Sequence, residues 1–214
     1  MQNQVNRLDA AFPMAAAVSL ELIQREEVRE QWLMPSVLPK MSVGALACHL
    51  GRQVVRAVEL LPMATDVPPL ESADAHYLRA AWVRSTSPDD PSNDRSTDDA
   101  EAALGAAVLA DRSAGALATV RRLLAAGTAC DVVLIPWQGW SLRRDEFLLT
   151  RMLEIVVHAD DLALSVAVRT PEFPAEVFAP VRDLLVRLAV KRHGQSAVIS
   201  ALTRSERTQV ISAF

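Results

Sequence analysis

The sequence predicts an all-α protein, a bundle of four long helices with short extra helices and a C-terminal helical tail, and three observations carry that reading. Alanine, the best helix former, supplies roughly one residue in six. Glycine numbers only 7 in 214 residues and no Asn-Gly or Asp-Gly pair occurs, so tight hairpin turns have little to be built from. Apolar residues make up 50% of the chain and recur at helical rather than alternating spacing over most of its length. A β-sandwich or barrel is disfavoured on the same grounds.

In chain order, a first helix is expected from Leu8 to Gln31, with Val18, Leu22 and Val28 among its apolar positions. Pro35 and Pro39 in the stretch after Trp32 end it, because neither can sit inside a helix. Ser42 is a good N-cap for a second helix running to Pro62. Pro68-Pro69 marks a loop, followed by a short helix from Asp74 to Val83. Ser85 to Asp99 has two prolines and no large apolar residue and reads as a surface loop, a functional lid being the lesser alternative. A long helix is expected from Thr97 to Ala126, closed by Gly127 as its C-cap. Val132 to Ile135 reads as a short extended piece leading into Pro136-Trp-Gln-Gly-Trp140. Another long helix spans Arg143 to Val168, closed by Thr170-Pro171, and a further one spans Ala175 to Arg192, stopping at Gly194. The organisation expected is a bundle over residues 1–194 and a short helical extension over 195–214 that is no separate domain.

Charge and composition narrow the function classes. A formal net charge of −4 and a pI near 5.6 argue against an electrostatic nucleic-acid binder. No 18-residue uncharged apolar run is present, so no membrane-spanning helix is expected. The start, MQNQVNRLDAAFP, lacks a basic segment followed by an apolar one, and only Cys48 and Cys130 occur. A cytoplasmic protein with small-molecule partners, neither nucleic acid nor membrane, is the expectation.

Four histidines occur, and two lie mid-helix in apolar surroundings: His49 in ALACHLGRQ and His158 in MLEIVVHADDLAL. Glu154 precedes His158 by four residues, so their side chains project from one helix face a turn apart. Phe147, Arg151, Glu154, His158, Asp161 and Ser165 fall within an arc of about 80° at 100° per residue, whereas Asp160 points away to solvent. Buried charge needs partners, and a divalent metal would supply one, with Glu154, His158 and His49 as ligands. A side-chain pair and a hydrogen-bonded core histidine are the competing readings. HExxH and the paired Glu-x-x-His motifs of di-iron bundles are both absent, so any metal is a single ion. Cys48 points about 100° away from His49 and reads as a small core residue, and His76 and His193 read as surface or cap histidines.

The stretch Trp32-x-x-Pro35-Ser-x-Leu38-Pro39-x-Met41-Ser42-Val43-x-x-Leu46-x-x-His49-Leu50, followed by Arg151-x-x-Glu154-x-x-x-His158-x-x-Asp161-Leu162, resembles the N-terminal domain of mycothiol-dependent maleylpyruvate isomerase, one of the DinB/YfiT-like metal-binding four-helix bundles. The resemblance covers Leu8 to Val190 and implies a metal triad at His49, Glu154 and His158. It further implies one divalent ion, zinc being expected and nickel or iron the alternatives, beside a groove for a low-molecular-weight thiol such as mycothiol. A metal-held thiol is kept as the nucleophilic thiolate, which would add to a small electrophile in an isomerase or S-transferase reaction. A non-catalytic bundle that binds a small molecule is the alternative. Arg151 and Asp161 are the candidate catalytic residues, an arginine there binding a carboxylate and Asp161 orienting His158 or Arg151. Gln53 and Arg56, one and two turns past His49, are candidate cofactor-binding residues, and Trp140 with Trp137 would line the groove mouth; salt bridging and loop packing are the bland readings. The isomerase has a separate C-terminal domain contributing to its active site, and only the twenty residues 195–214 follow the last long helix here. Twenty arginines against two lysines, Lys40 and Lys191, suit a GC-rich genome such as that of an actinobacterium, where mycothiol is made. A homodimer is compatible with such a bundle.

Overall fold

The computed structural model describes residues 7–85, 90, 94–207 and 210–214. Helix α1 (Arg7–Ile23) buries Ala11, Phe12, Ala15, Ala16, Ser19, Leu22 and Ile23, the three- and four-residue spacing of one apolar face. The expected continuation to Gln31 does not form. The chain breaks at Gln24-Arg25, with Arg25 extended at φ −64 and ψ 145, and restarts as α2 (Glu26–Glu30). In one straight helix Val28 would lie about 180° from Ser19, on the solvent side. The break turns it inward, where it is fully buried.

Helix α3 (Val43–Leu60) starts as expected: Ser42 Oγ accepts the Ala45 N–H at 3.1 Å. Gly44 lets the Trp32 indole lie flat on this helix, since a Cβ there would come within 2.5 Å of the ring. Trp32 Nε1 in turn donates to the Ala102 carbonyl at 3.0 Å. Helix α4 (Ala73–Arg79) and a 3₁₀ turn (Ala81–Arg84) occupy the expected short helix.

Two expectations are corrected in the next stretch. The single helix from Thr97 to Ala126 is two, α5 (Ser96–Ala102) and α6 (Ala106–Ala125), meeting at 106°. The joint is Gly105 at φ +90, a conformation glycine adopts without strain. The expected loop over Ser85–Asp99 therefore ends in a helix whose Asp98 is buried; residues 86–89 and 91–93 of it lie outside the described residues. Gly127 closes α6 at φ +65, with the Gly127 and Thr128 N–H groups returning to the Leu124 and Leu123 carbonyls.

The extended piece β1 (Val132–Ile135) pairs antiparallel with a strand that was not expected, β2 (Trp140–Arg143), Val132 facing Arg143 and Ile135 facing Trp140. Gly139 at φ +78 makes the turn, and Val133, Ile135 and Leu142 enter the core. Helix α7 (Arg144–Ser165) follows, then α8 (Ala175–His193), Gly194 at φ +83, and α9 (Gln195–Thr203).

Helices α1, α3, α6 and α7 form the four-helix bundle, α3 packing on both α6 and α7 and α1 on the same two. Helix α8 lies along α1 and α7, α5 crosses α3, and α4 rests on α7 and α8. The small hairpin and α4 thus frame one end of the α3–α7 seam, while α5 closes its side. The tail returns to set Phe214 against Tyr77 and Trp82, each at 5.2 Å between ring centres. No single helix among the described residues is long and apolar enough to cross a membrane.

Candidate metal centre

Two polar groups interrupt the α3–α7 seam: Gln53 with Arg151, and His49 with Glu154 and His158. One donor atom from each of the last three lies within 4.8 Å of the other two, the one such group of histidine, cysteine or carboxylate side chains among the described residues. The His49 and His158 rings meet edge to face with centres 4.7 Å apart, and His158 Nε2 is 3.3 Å from Glu154 Oε2. Helix geometry accounts for the pair on α7: residues four apart stand one turn above each other. The third side chain comes from the neighbouring helix of the bundle.

Each member is held from behind by a further side chain. His49 Nδ1 lies 3.2 Å from Asp98 Oδ2, leaving Nε2 as its remaining donor atom. His158 Nδ1 lies 3.0 Å from Asp161 Oδ2, which fixes that ring in the same sense. Glu154 Oε1 accepts the Tyr77 hydroxyl at 3.0 Å, leaving Oε2 turned to His158. Carboxylates on the Nδ1 atoms of two histidines are the arrangement in which metal-binding histidines are held, and Glu154 Oε2 lies 3.3 Å from His158 Nε2 beside them. The donor chemistry, two imidazoles and one carboxylate, fits a single divalent ion of the zinc type.

The three groups differ in their electrostatics, and without an ion His158 favours its protonated form. Burial pushes the His49 imidazole below its ordinary range, outweighing Asp98, so the ring favours its neutral, electron-pair-donating form. Burial acts on His158 in the same direction, but Asp161 and Glu154 outweigh it and hold that imidazole above its usual value. Glu154 is held far below the ordinary carboxylate range: burial opposes this, and His158 and Arg151 overcome it. Tyr77 is driven well above its usual value by burial and by Glu154, so its hydroxyl remains a donor.

Besides Tyr77, the sequence reading missed Asp98 as a residue of the candidate site. It is buried, and besides His49 it receives Arg52 Nη1 at 2.6 Å; Arg52 and Arg112 then share Glu101 at 2.6 and 2.8 Å. Burial alone would raise the Asp98 carboxyl, but His49 and Arg52 bring it below its normal value. Its signal in the sequence is faint: an acidic residue in a polar run that only the Gly105 turn folds back across α3.

The remaining expected residues separate into two groups. Asp161 stands beside His158, and Ser165 Oγ donates to the Asp161 carbonyl at 2.6 Å. Gln53 is fully buried with its amide spent on the protein, donating to the His49 carbonyl at 3.0 Å and accepting from Arg151 Nη1 at 2.7 Å. Arg151 is likewise buried and also donates to Thr150 Oγ1 at 3.3 Å. These two belong to the wall rather than to an open surface. Trp140 is half-buried and donates through Nε1 to His76 Nδ1 at 3.1 Å. Arg56 is partly exposed, its guanidinium carbon 4.1 Å from the centre of the Trp137 ring.

His76 corrects the expectation of a surface or cap residue. It is 3% exposed, lies edge to face with Tyr77, and accepts the Trp140 N–H, because α4 turns this side of itself onto α7. Burial and the nearby Arg151 charge lower its pKa to about 4. His193 does sit at the end of α8, its Nε2 against the Ser212 backbone. Cys48 is a buried core residue whose thiol burial pushes up to about 12, and Asp160 is exposed and accepts Thr170 Oγ1 at 2.7 Å.

The family model for the mycothiol maleylpyruvate isomerase N-terminal domain matches residues 15–163, which span α1 to α7 and include His49, Asp98, Glu154, His158 and Asp161. No curated protein and no solved structure matches the chain. With more than two thirds of its residues inside that match, the chain belongs to the mycothiol maleylpyruvate isomerase N-terminal domain family.

Proposed function

We propose that the protein is a metal-dependent enzyme that activates a low-molecular-weight thiol of the mycothiol type for addition to, or isomerisation of, a small electrophile. His49, Glu154 and His158 would hold one divalent ion, zinc first among the alternatives. When bound, that ion would supply a positive charge that keeps a thiol sulfur in its nucleophilic thiolate form at neutral pH. The single observation that carries the reading is the double imidazole–carboxylate arrangement, His49 on Asp98 and His158 on Asp161, with a donor atom of Glu154 within 4.8 Å of one on each histidine.

The chain's own residues have distinct parts in this. Asp98 and Asp161 fix which nitrogen of each imidazole faces the centre, so no tautomer change accompanies ligand binding. Tyr77 holds one oxygen of Glu154 and thereby fixes the other. Arg151, pinned by Gln53 and Thr150, contributes a fixed positive charge beside Glu154 that favours an anionic sulfur or an electrophile gaining negative charge. Trp140 and His76 close the wall on the α4 side. The triad is part-buried, with side-chain exposures of 22% for His49, 14% for Glu154 and 17% for His158, so it lies within reach of a ligand while bulk water is reduced around it.

The reading is tested with zinc-loaded protein incubated with mycothiol and a panel of small electrophiles, including cis-configured unsaturated diketo acids. Thiol addition or cis–trans isomerisation that is abolished in Glu154→Gln, with the helical circular dichroism retained, is the expected result. Saturable thiol binding without turnover of any electrophile would overturn the enzyme reading in favour of a non-catalytic binding bundle.

A further inference from the structure

Arg56 carries a charge that no carboxylate among the described residues pairs with directly. It follows His49 by seven residues, which at 100° per residue returns it to within about 20° of the same face of α3, about 10 Å further along the axis. The other arginines lining this end of the bundle are engaged: Arg52 with Asp98 and Glu101, Arg112 with Glu101, Arg151 with Gln53 and Thr150. Arg56 has no hydrogen bond and no ion pair among the described residues. Its one contact partner of note is Trp137, at the tip of the hairpin and 48% exposed. Burial, then the like charges of Arg151 and Arg52, lower the Arg56 pKa to about 10, so the guanidinium stays protonated at neutral pH but is held at a cost.

The geometry of the contact leaves the cation ready for a ligand. An indole over the face of a guanidinium steadies its plane through a cation–π interaction. The N–H donors of a guanidinium lie in its own plane, those of Arg56 meet no acceptor among the described residues, and their fork matches the two oxygens of a carboxylate. Glu154 and Asp98 act on Arg56 from a distance without pairing with it, and they do not outweigh burial and the two like charges, so an arriving anion would relieve the cost.

We propose that Arg56 and Trp137 form a carboxylate subsite, about 10 Å along α3 from His49, that takes the acid end of an elongated ligand whose other end reaches the triad. Only the second half of that statement rests on the metal reading; the subsite itself does not. The ligand class is a thiol or electrophile with a terminal carboxylate, and neutral analogues of equal length are discriminated against.

The test uses 6-mercaptohexanoate and 6-mercaptohexanol, which differ in charge at one end, titrated into cobalt-loaded protein and followed by thiolate-to-cobalt absorption. The acid is expected to bind the wild type about 10- to 100-fold more tightly than the alcohol, the range of a charge-assisted hydrogen bond. The preference disappears in Arg56→Met and is partly retained in Arg56→Lys, while affinity for the alcohol is unchanged in both. Equal affinities in the wild type, or a preference surviving Arg56→Met, would overturn the subsite. If no thiol perturbs the cobalt spectrum, the metal reading fails, and metal-free protein titrated with sodium hexanoate decides the subsite alone. A shift in tryptophan emission that is lost in both Arg56→Met and Trp137→Phe supports it, and no shift in the wild type overturns it. Arg56→Met is expected to melt no lower than the wild type, since it removes a partly buried charge with no hydrogen bond or ion pair among the described residues and keeps an apolar contact with Trp137.

Discussion

Asp98 reaches across from α5 to place Oδ2 3.2 Å from His49 Nδ1, tying the candidate metal centre to a helix outside the four-helix bundle. The same carboxylate takes Arg52 Nη1 at 2.6 Å, so the group that orients His49 is itself held in place. Carboxylates behind metal-binding histidines set the tautomer and raise the basicity of the ring. Asp98→Asn keeps the volume and removes the charge. It is expected to weaken the affinity for zinc by about 10- to 100-fold, measured by competition with a chelator. An affinity equal to that of the wild type would contradict the role given to Asp98.

Tyr77 tests the other side of the centre. Its hydroxyl, fully buried, lies 3.0 Å from Glu154 Oε1 and 3.2 Å from the Thr150 carbonyl. Tyr77→Phe leaves a buried carboxylate oxygen without its donor, which is expected to cost about 1–3 kcal/mol in urea unfolding. Zinc affinity should fall as well, because Glu154 is then free to rotate. A variant as stable as the wild type, with unchanged affinity, would show that this hydrogen bond contributes nothing.

His76 sets a pH dependence whose sign follows from its surroundings. An unfolded chain's histidine titrates near 6.5, whereas burial and Arg151 hold this one at about 4. Between those values the unfolded state binds the additional proton, so stability that is complete above pH 6.5 falls as the pH drops through 4. The slope is about 1.4 kcal/mol per pH unit, or ~3 kcal/mol across the interval. His76→Gln can still accept the Trp140 N–H and does not titrate. Metal-free variant and wild type, unfolded in urea from pH 7 to pH 4, should differ in slope by one proton. Parallel pH profiles would contradict the buried, neutral state of His76.

The helical fold was legible from local periodicity, and the triad from periodicity together with the family resemblance. Glu154 and His158 share a face by helical spacing alone, and the family motif supplied His49 on the neighbouring helix. The rest depends on tertiary context. Gly105 breaks an otherwise continuous helical pattern, and the 106° turn it permits is what brings Asp98 to His49. Val28 breaks α1 from α2 because its burial outweighs the continuity of the helix. The second strand, Trp140–Arg143, is four residues long and carries no alternation of its own; pairing with Val132–Ile135 makes it a strand. His76 looked exposed because a short helix between two loops gives no indication of which face will be covered. Gln53 and Arg151 were expected beside the ligand, and the structure places their polar atoms against each other instead, whereas Arg56 meets Trp137 and has no hydrogen bond or ion pair among the described residues.

The central claim is that His49, Glu154 and His158 hold a metal ion together. Elemental analysis of the protein after zinc reconstitution and exhaustive desalting tests this most directly. The account predicts one zinc per chain in the wild type and none in a His49→Ala/Glu154→Ala/His158→Ala variant that keeps its helical circular dichroism. A wild type without stoichiometric metal, or a triple variant that retains the ion, would contradict it.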